Sequence, residues 1–286
     1  MSELAKRVAS ALVGAPIAVA CIWYGDAALA TLLAAAAGIG AWESYRMARN
    51  AGGAPFMRTG IVLAAIVPLV VHAHVLRVGT PSLTAGVMVV LGLLALAIWR
   101  RGVSGHPLLA VATTLLGVLY VGVPVAYGYA LRYFDWAVGR AAGAAVLLLP
   151  VLCTWASDIG AYAAGRLIGG PKLIPSVSPG KTISGSIGGL IASATLAAAY
   201  APLVLRPYAQ LGFAPGRALV FGLLVSVAAQ LGDLVESLLK RDAGVKDSSS
   251  LIPGHGGVLD RIDSLLFVLP VSYLLLGQLL LPAYGR

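Results

Sequence analysis

Residues 216–264, GRALVFGLLVSVAAQLGDLVESLLKRDAGVKDSSSLIPGHGGVLDRIDS, decide how this chain folds. The stretch opens as an apolar run of the length needed to cross a bilayer core, about 17–25 residues, and then breaks into charge. Ten charged residues fall between 230 and 264: Asp233, Glu236, Lys240, Arg241, Asp242, Lys246, Asp247, Asp260, Arg261 and Asp263. The protein as a whole is 59% hydrophobic and only 11% charged, so this concentration is no ordinary solvated face. Charge kept in or beside hydrocarbon is costly, and its default meaning is a functional site.

Outward from that stretch, apolar runs of similar size recur along nearly the whole length. They place spans near 6–24, 27–48, 59–78, 81–99, 107–131, 141–164, 182–204, 216–239 and 262–283. With a mean hydropathy of +0.91, no water-soluble domain of useful size remains. The expected fold is an all-α polytopic integral membrane protein of about nine transmembrane helices. Only Gly25 and Asp26 separate the first two spans. The first follows Lys6 and Arg7 and has small residues around Ala27–Ala30, as a signal peptide would, but the apolar run continues at once and reads as an uncleaved helix. Cys21 and Cys153 lie inside spans without a CxxC spacing, which argues against a cysteine metal site or a disulfide framework.

The net charge of +9 does not point to nucleic acid, because of where it sits. With nine spans, the loops sharing the N-terminal side hold 14 Lys and Arg and the opposite loops hold 6. The positive-inside rule then puts the N-terminus and the richer side in the cytoplasm, and some of the excess attracts anionic lipid.

The chain divides into halves of different character. Residues 1–140 form a transmembrane scaffold suited to lipid access or dimer contact. Residues 141–286 form the expected catalytic region, with cytoplasmic loops at 165–181 and 240–261. Of the 11 acidic residues only Glu3, Asp26, Glu43 and Asp135 lie in the first half. Glu43, beside Trp42 and Tyr45, reads as structurally paired with Arg46 or Arg49. His72 and His74, two apart, fall on different helix faces and do not suit a shared metal.

Three motifs carry the chemistry. Asp158, Tyr162 and Arg166 are four apart and stack along one helix face; the plain alternative is an Asp158–Arg166 contact beside a Gly165–Gly169 helix crossing. Ser178-Pro-Gly-Lys181-Thr182-Ile-Ser184 places hydroxyls and a lysine at a helix N-terminus, where free N–H groups favour anions. Gly180-Lys181-Thr182 is not a P-loop, since Pro175 stands where that loop needs glycine and no strand is expected upstream. Asp233, Glu236, Ser237 and Lys240 then form one polar stripe, and Asp260 with Asp263 repeats that logic at the next helix start. Two carboxylate-bearing helix ends joined by a Gly-rich loop can hold Mg²⁺ and leave positions for phosphate and water. Lys240, Arg241, Lys246 and Arg261 can neutralise phosphate oxygens, and His255 reads as either a phosphate donor or a loop-shaping hydrogen bonder.

Ser237-Leu-Leu-Lys240-Arg241 through Lys246-Asp247 to Pro253-Gly-His255-Gly-Gly-Val-Leu-Asp260-Arg261-Ile-Asp263 resembles the signature of the phosphatidate cytidylyltransferases. The 178–182 and Asp158…Arg166 segments are similar to that family's other motifs, in the same order. The resemblance implies condensation of CTP with phosphatidate to CDP-diacylglycerol and pyrophosphate at the cytoplasmic face of a bacterial inner membrane. It also implies Mg²⁺ as cofactor, a monovalent cation such as K⁺ as a possible helper, and a possible homodimer. By that resemblance Asp233 and Asp260 are preferred metal ligands, followed by Asp263 and Asp158. Ser178, Lys181, Ser237, Lys240, Lys246 and Arg261 fall to phosphate contact, with Thr182, Ser184, Arg241 and His255 beside them. Competing readings are a polyprenol kinase or an archaeal-type ether-lipid cytidylyltransferase. More remote is an ion-coupled transporter, which the absence of an internal repeat disfavours.

Overall fold

The computed structural model describes residues 3–254 and 256–282. Ten α-helices dominate: α1 (Glu3–Tyr24), α2 (Asp26–Asn50), α3 (Met57–Val75), α4 (Leu83–Arg100), α5 (Pro107–Gly117), α6 (Val123–Arg132), α7 (Arg140–Leu167), α8 (Ile183–Tyr200), α9 (Arg217–Asp242) and α10 (Leu259–Leu279). A π-turn at Val118–Gly122 joins α5 to α6, so Pro107–Arg132 is one span, and a second π segment, Ala201–Ala209, extends α8. Among the described residues eight helices are long and apolar enough to cross a membrane, and Gly14–Tyr24 is a shorter apolar helix. The all-α polytopic reading holds. Exposed Leu, Ile and Val on these helices are the faces that lipid would cover.

Breaks between spans have local causes. Gly25 and Asp26 both have positive φ (71° and 42°), which ends α1 and starts α2 without a loop. Arg132 closes the exposed carbonyls at the end of α1, donating from Nε to Ile22 O (2.7 Å) and from a guanidinium nitrogen to Trp23 O (3.1 Å).

Small strands also occur: three lie at predicted loops, and the last falls at the end of the span expected over 262–283. β1 (Lys172–Ile174) and β2 (Ser178–Thr182) form an antiparallel hairpin, while β3 (Leu211–Phe213) pairs with β4 (Leu280–Pro282). A strand therefore does lead into α8, contrary to expectation. Gly180-Lys181-Thr182 is part of that extended strand and does not wrap as a phosphate loop.

The chain forms two compact units. The first comprises Met1–Cys21, Asp26–Tyr129 and Leu239–Arg261; the second comprises Ile22–Gly25, Ala130–Leu238 and Ile262–Arg286. Tyr45 centres the first. Its ring is fully buried among Ala41, Ala64 and Val118, and its hydroxyl donates to Thr114 O (2.8 Å). Gly60 and Gly117 border the ring so closely that a side chain at either would overlap it. The second unit is built on α7 against α8, where Gly160 and Gly188 face one another and a Cβ on either would strike the other's carbonyl. Small residues let two helices approach this closely in lipid.

Candidate active site

The close α7–α8 crossing brings the first two motifs together in the second unit. An open cavity of about 550 Å³ lies between α7, the β1–β2 hairpin, α8 and α9, a size typical of small-molecule sites. Asp158, Tyr162 and Arg166 line it from α7, Lys181 and Thr182 from the hairpin, and Gln230 and Asp233 from α9. Gly165, Gly180 and Gly185 leave it roomy.

Within this cavity Lys181 Nζ lies 2.8 Å from Asp233 Oδ2, an ion pair that occupies one of the ammonium's three donors and leaves the others for another acceptor. Ser237 donates to Asp233 Oδ1 (3.3 Å). Asp233 and Asp263 are near enough to Asp158 for their charges to act on it, with Lys181 offsetting them. Asp263 also accepts from Ser264 N (2.6 Å). Arg166 does not make the contact with Asp158 that the plain alternative offered. It donates instead to Tyr162 Oη (2.6 Å) and lies over that ring. Gly169 is no helix-crossing partner of Gly165 either: it lies beyond the end of α7 with φ +65°. Gly185 and Gly189 pack against Ala161 and Ser157 of the same chain, so they lend no support to a dimer contact.

Two predicted hydroxyls have local work. Thr182 is the N-cap of α8, accepting from Gly185 N (3.1 Å), and Ser184 donates to Gly169 O (2.5 Å). Ser178 sits at the far end of β2, paired with Ile174. Sequence reasoning passed over Gln230 and Ser186. Gln230 accepts from the Ser186 hydroxyl and donates to Ser186 O and Ser226 Oγ (both 3.1 Å), and Ser226 bonds Ser157 (2.7 Å). This polar ladder fixes α7, α8 and α9 at the cavity floor. Its signal was available, since Gln230 precedes Asp233 by three on the same helix face.

The remaining predicted residues belong to the first unit, around the loop between α9 and α10. Lys240 Nζ lies 2.8 Å from Asp260 Oδ1, and both side chains are nearly buried (13% and 6% exposed). Asp260 Oδ2 accepts three more bonds, from Ser248 N (3.0 Å), Ser248 Oγ (2.8 Å) and Gly257 N (2.7 Å). Asp260 is thus oriented by four donors, two of them backbone. Arg241, Lys246 and Arg261 are exposed, and Arg241 reaches Val245 O (3.4 Å). His255 lies outside the described residues. Glu43 does not pair with Arg46 or Arg49. It accepts from the same loop, while Arg46 lies over Trp42.

The cytidylyltransferase family model matches residues 5–279. The chain belongs to the cytidylyltransferase family. A phosphatidate cytidylyltransferase of Synechocystis is 34% identical over 306 residues, covering 98% of this chain and 99% of the relative. Proteins of the same name from Staphylococcus saprophyticus and Staphylococcus haemolyticus are 42% and 44% identical over 168 residues, 59% of this chain and 60% of each relative. The resemblance read from the 230–264 signature is borne out across the cytidylyltransferase chain as a whole.

Among the described residues no three or more His, Cys, Asp and Glu are spaced to hold a metal by themselves. Mg²⁺ is usually bound by one or two carboxylates with substrate phosphates and water completing the shell. Asp158 and Asp233, lining one cavity with Lys181, are a donor set of that kind.

Proposed function

We propose that this protein is a phosphatidate cytidylyltransferase, joining CTP to phosphatidate with release of pyrophosphate. The observation that carries the reading is the near-complete alignment to a relative of that name. A cavity in which two carboxylates and a lysine converge supports it.

The chemistry asks for charge management more than for a base. A phosphate monoester is already anionic at neutral pH, so its oxygen attacks the α-phosphorus of CTP without a strong proton acceptor. The difficulty lies in bringing two polyanions together and stabilising the leaving pyrophosphate. Mg²⁺, held by Asp158 and Asp233, would supply charge neutralisation on the triphosphate. Lys181 exchanges its contact with Asp233 for a phosphate oxygen, and Arg166 at the cavity edge adds a second cation. Tyr162 and Leu173 offer apolar wall to a nucleoside. The first unit carries Lys240, Lys246, Asp260 and Arg261 of the family signature.

The finer reading keeps nine spans with the N-terminus in the cytoplasm of a bacterial cell. The 14-to-6 distribution of Lys and Arg supports it. CTP then enters from the cytoplasm and phosphatidate from the inner leaflet. The test is conversion of labelled CTP by purified protein in phosphatidate micelles; CDP-diacylglycerol is expected. Transfer of the γ-phosphate to a polyprenol, with none of that product, would move the protein to the kinase reading.

A further inference from the structure

Glu43 is an acid on an otherwise apolar stretch of α2, and it is fully buried. Its oxygens accept three hydrogen bonds and share a fourth, from the Ser248 hydroxyl whose single proton lies nearer Asp260; all four donors belong to the loop between α9 and α10 or the first residue of α10. Oε1 takes Ser249 Oγ (2.5 Å) and Val258 N (3.0 Å), and Oε2 takes Ser248 Oγ (3.3 Å) and Leu259 N (2.6 Å). Two donors come from the middle of the loop and two from its junction with α10, so one carboxylate ties these two parts together. The N–H groups of Val258 and Leu259 open α10, where the helix dipole adds to the attraction for a negative charge.

The same two parts hold Asp260. Ser248 bridges the carboxylates, with its hydroxyl 2.8 Å from Asp260 Oδ2 and 3.3 Å from Glu43 Oε2, and Gly257 N bonds Asp260 while a neighbouring N–H bonds Glu43. A Cβ at Gly257 would overlap both Ser248 Oγ and Glu43 Oε1. Gly256 has φ +79°, and its amide strand closes the loop tip through Ile252 N to Gly256 O (2.8 Å). The two glycines of the signature therefore do different work: Gly256 supplies the backbone conformation and Gly257 the room for Glu43.

A buried carboxylate costs more than an apolar side chain of its size unless it is fully bonded. Packing of α2 needs no charge at this position, whereas the loop needs an acceptor for each of these donors.

We propose that Glu43 is a positioning residue: it clamps the loop between α9 and α10 into one pose and so holds the Asp260–Lys240 pair in the geometry that turnover needs. The role in turnover rests on the cytidylyltransferase reading, but the clamp itself does not. It assigns a task in the reaction to a helix of the half expected to be scaffold.

Glu43→Gln is the test. The variant keeps the shape, but its amide nitrogen must face one side of the grip. The serine hydroxyls can turn to accept from it, whereas the N–H of Val258 or of Leu259 cannot and loses its acceptor. Hydrogen exchange across residues 245–259 of the full-length protein in detergent is expected to quicken about tenfold or more, with the transmembrane helices unchanged. The kcat for CTP and phosphatidate is expected to fall by about 10- to 100-fold. Ser249→Ala, which removes one donor from the loop side, is expected to quicken the same amides and carries the test should Glu43→Gln fail to insert. Exchange at the wild-type rate in the loop overturns the clamp, as does an increase spread evenly over all helices. Faster loop exchange with unchanged kcat overturns the positioning role. A wild-type protein with no turnover strikes at the activity reading, and loop exchange alone then decides the clamp.

Discussion

Replacing Asp260 with Asn changes one oxygen to an amide nitrogen, and the structure leaves that nitrogen no good place to go. Turned toward Lys240, it sets a donor against an ammonium whose side chain is only 13% exposed. Breaking a buried pair by removing one partner's charge costs about 3–5 kcal/mol. Turned the other way, it faces three donors. The Ser248 hydroxyl can rotate, but Ser248 N and Gly257 N cannot, and each loses a bond to a charged acceptor of about 1.5–3 kcal/mol. Both orientations cost at least about 3 kcal/mol, which corresponds to a local opening more populated by about two orders of magnitude or more. The cost falls on the loop, since the helix cores make no use of this carboxylate. Asp260→Asn should therefore insert and purify as folded protein, show rapid amide exchange confined to residues 243–258, and lose turnover. Turnover within a factor of about three of wild type, with the loop still protected, would refute the reasoning and remove Asp260 from the site.

Asp233→Asn should likewise abolish turnover in folded protein, because it removes a cavity carboxylate and the partner of Lys181; near-normal activity would exclude Asp233 from metal binding. Lys181→Met should raise the KM for CTP by at least about tenfold, one charge-assisted contact being worth about 1.5–3 kcal/mol, as read by initial rates at varied CTP. Gly160→Val should lower stability by about 1–3 kcal/mol through overpacking of α7 on α8, measured as a reduced thermal midpoint in detergent. Chelation of divalent ions should stop turnover reversibly, with Mg²⁺ restoring it.

Most of the fold was legible because lipid imposes one rule on every span: backbone polar groups must be satisfied within the helix. The apolar run 107–131 and the observed Pro107–Arg132 differ by one residue. The β1–β2 hairpin escaped notice because Lys172–Ile174 is too short to show a period of two. Of the candidate site, the four-residue spacing of Asp158 with Tyr162 and Arg166, the helix-start motif around Lys181 and the charge cluster around Asp233 pointed to these three, and the structure brings all three to one cavity. The role of Glu43 was illegible. Its partners lie more than 200 positions away in sequence, and no local spacing encodes a contact of that kind. The pairing proposed with Arg46 or Arg49 applied a near-neighbour rule where a distant loop supplied the donors.

The central claim is tested most directly by incubating purified protein with labelled CTP and phosphatidate in mixed micelles, with and without Mg²⁺. The account predicts CDP-diacylglycerol and pyrophosphate in equal amounts, formed only with the metal present. Absence of CDP-diacylglycerol from folded protein supplied with both substrates and Mg²⁺ would contradict it.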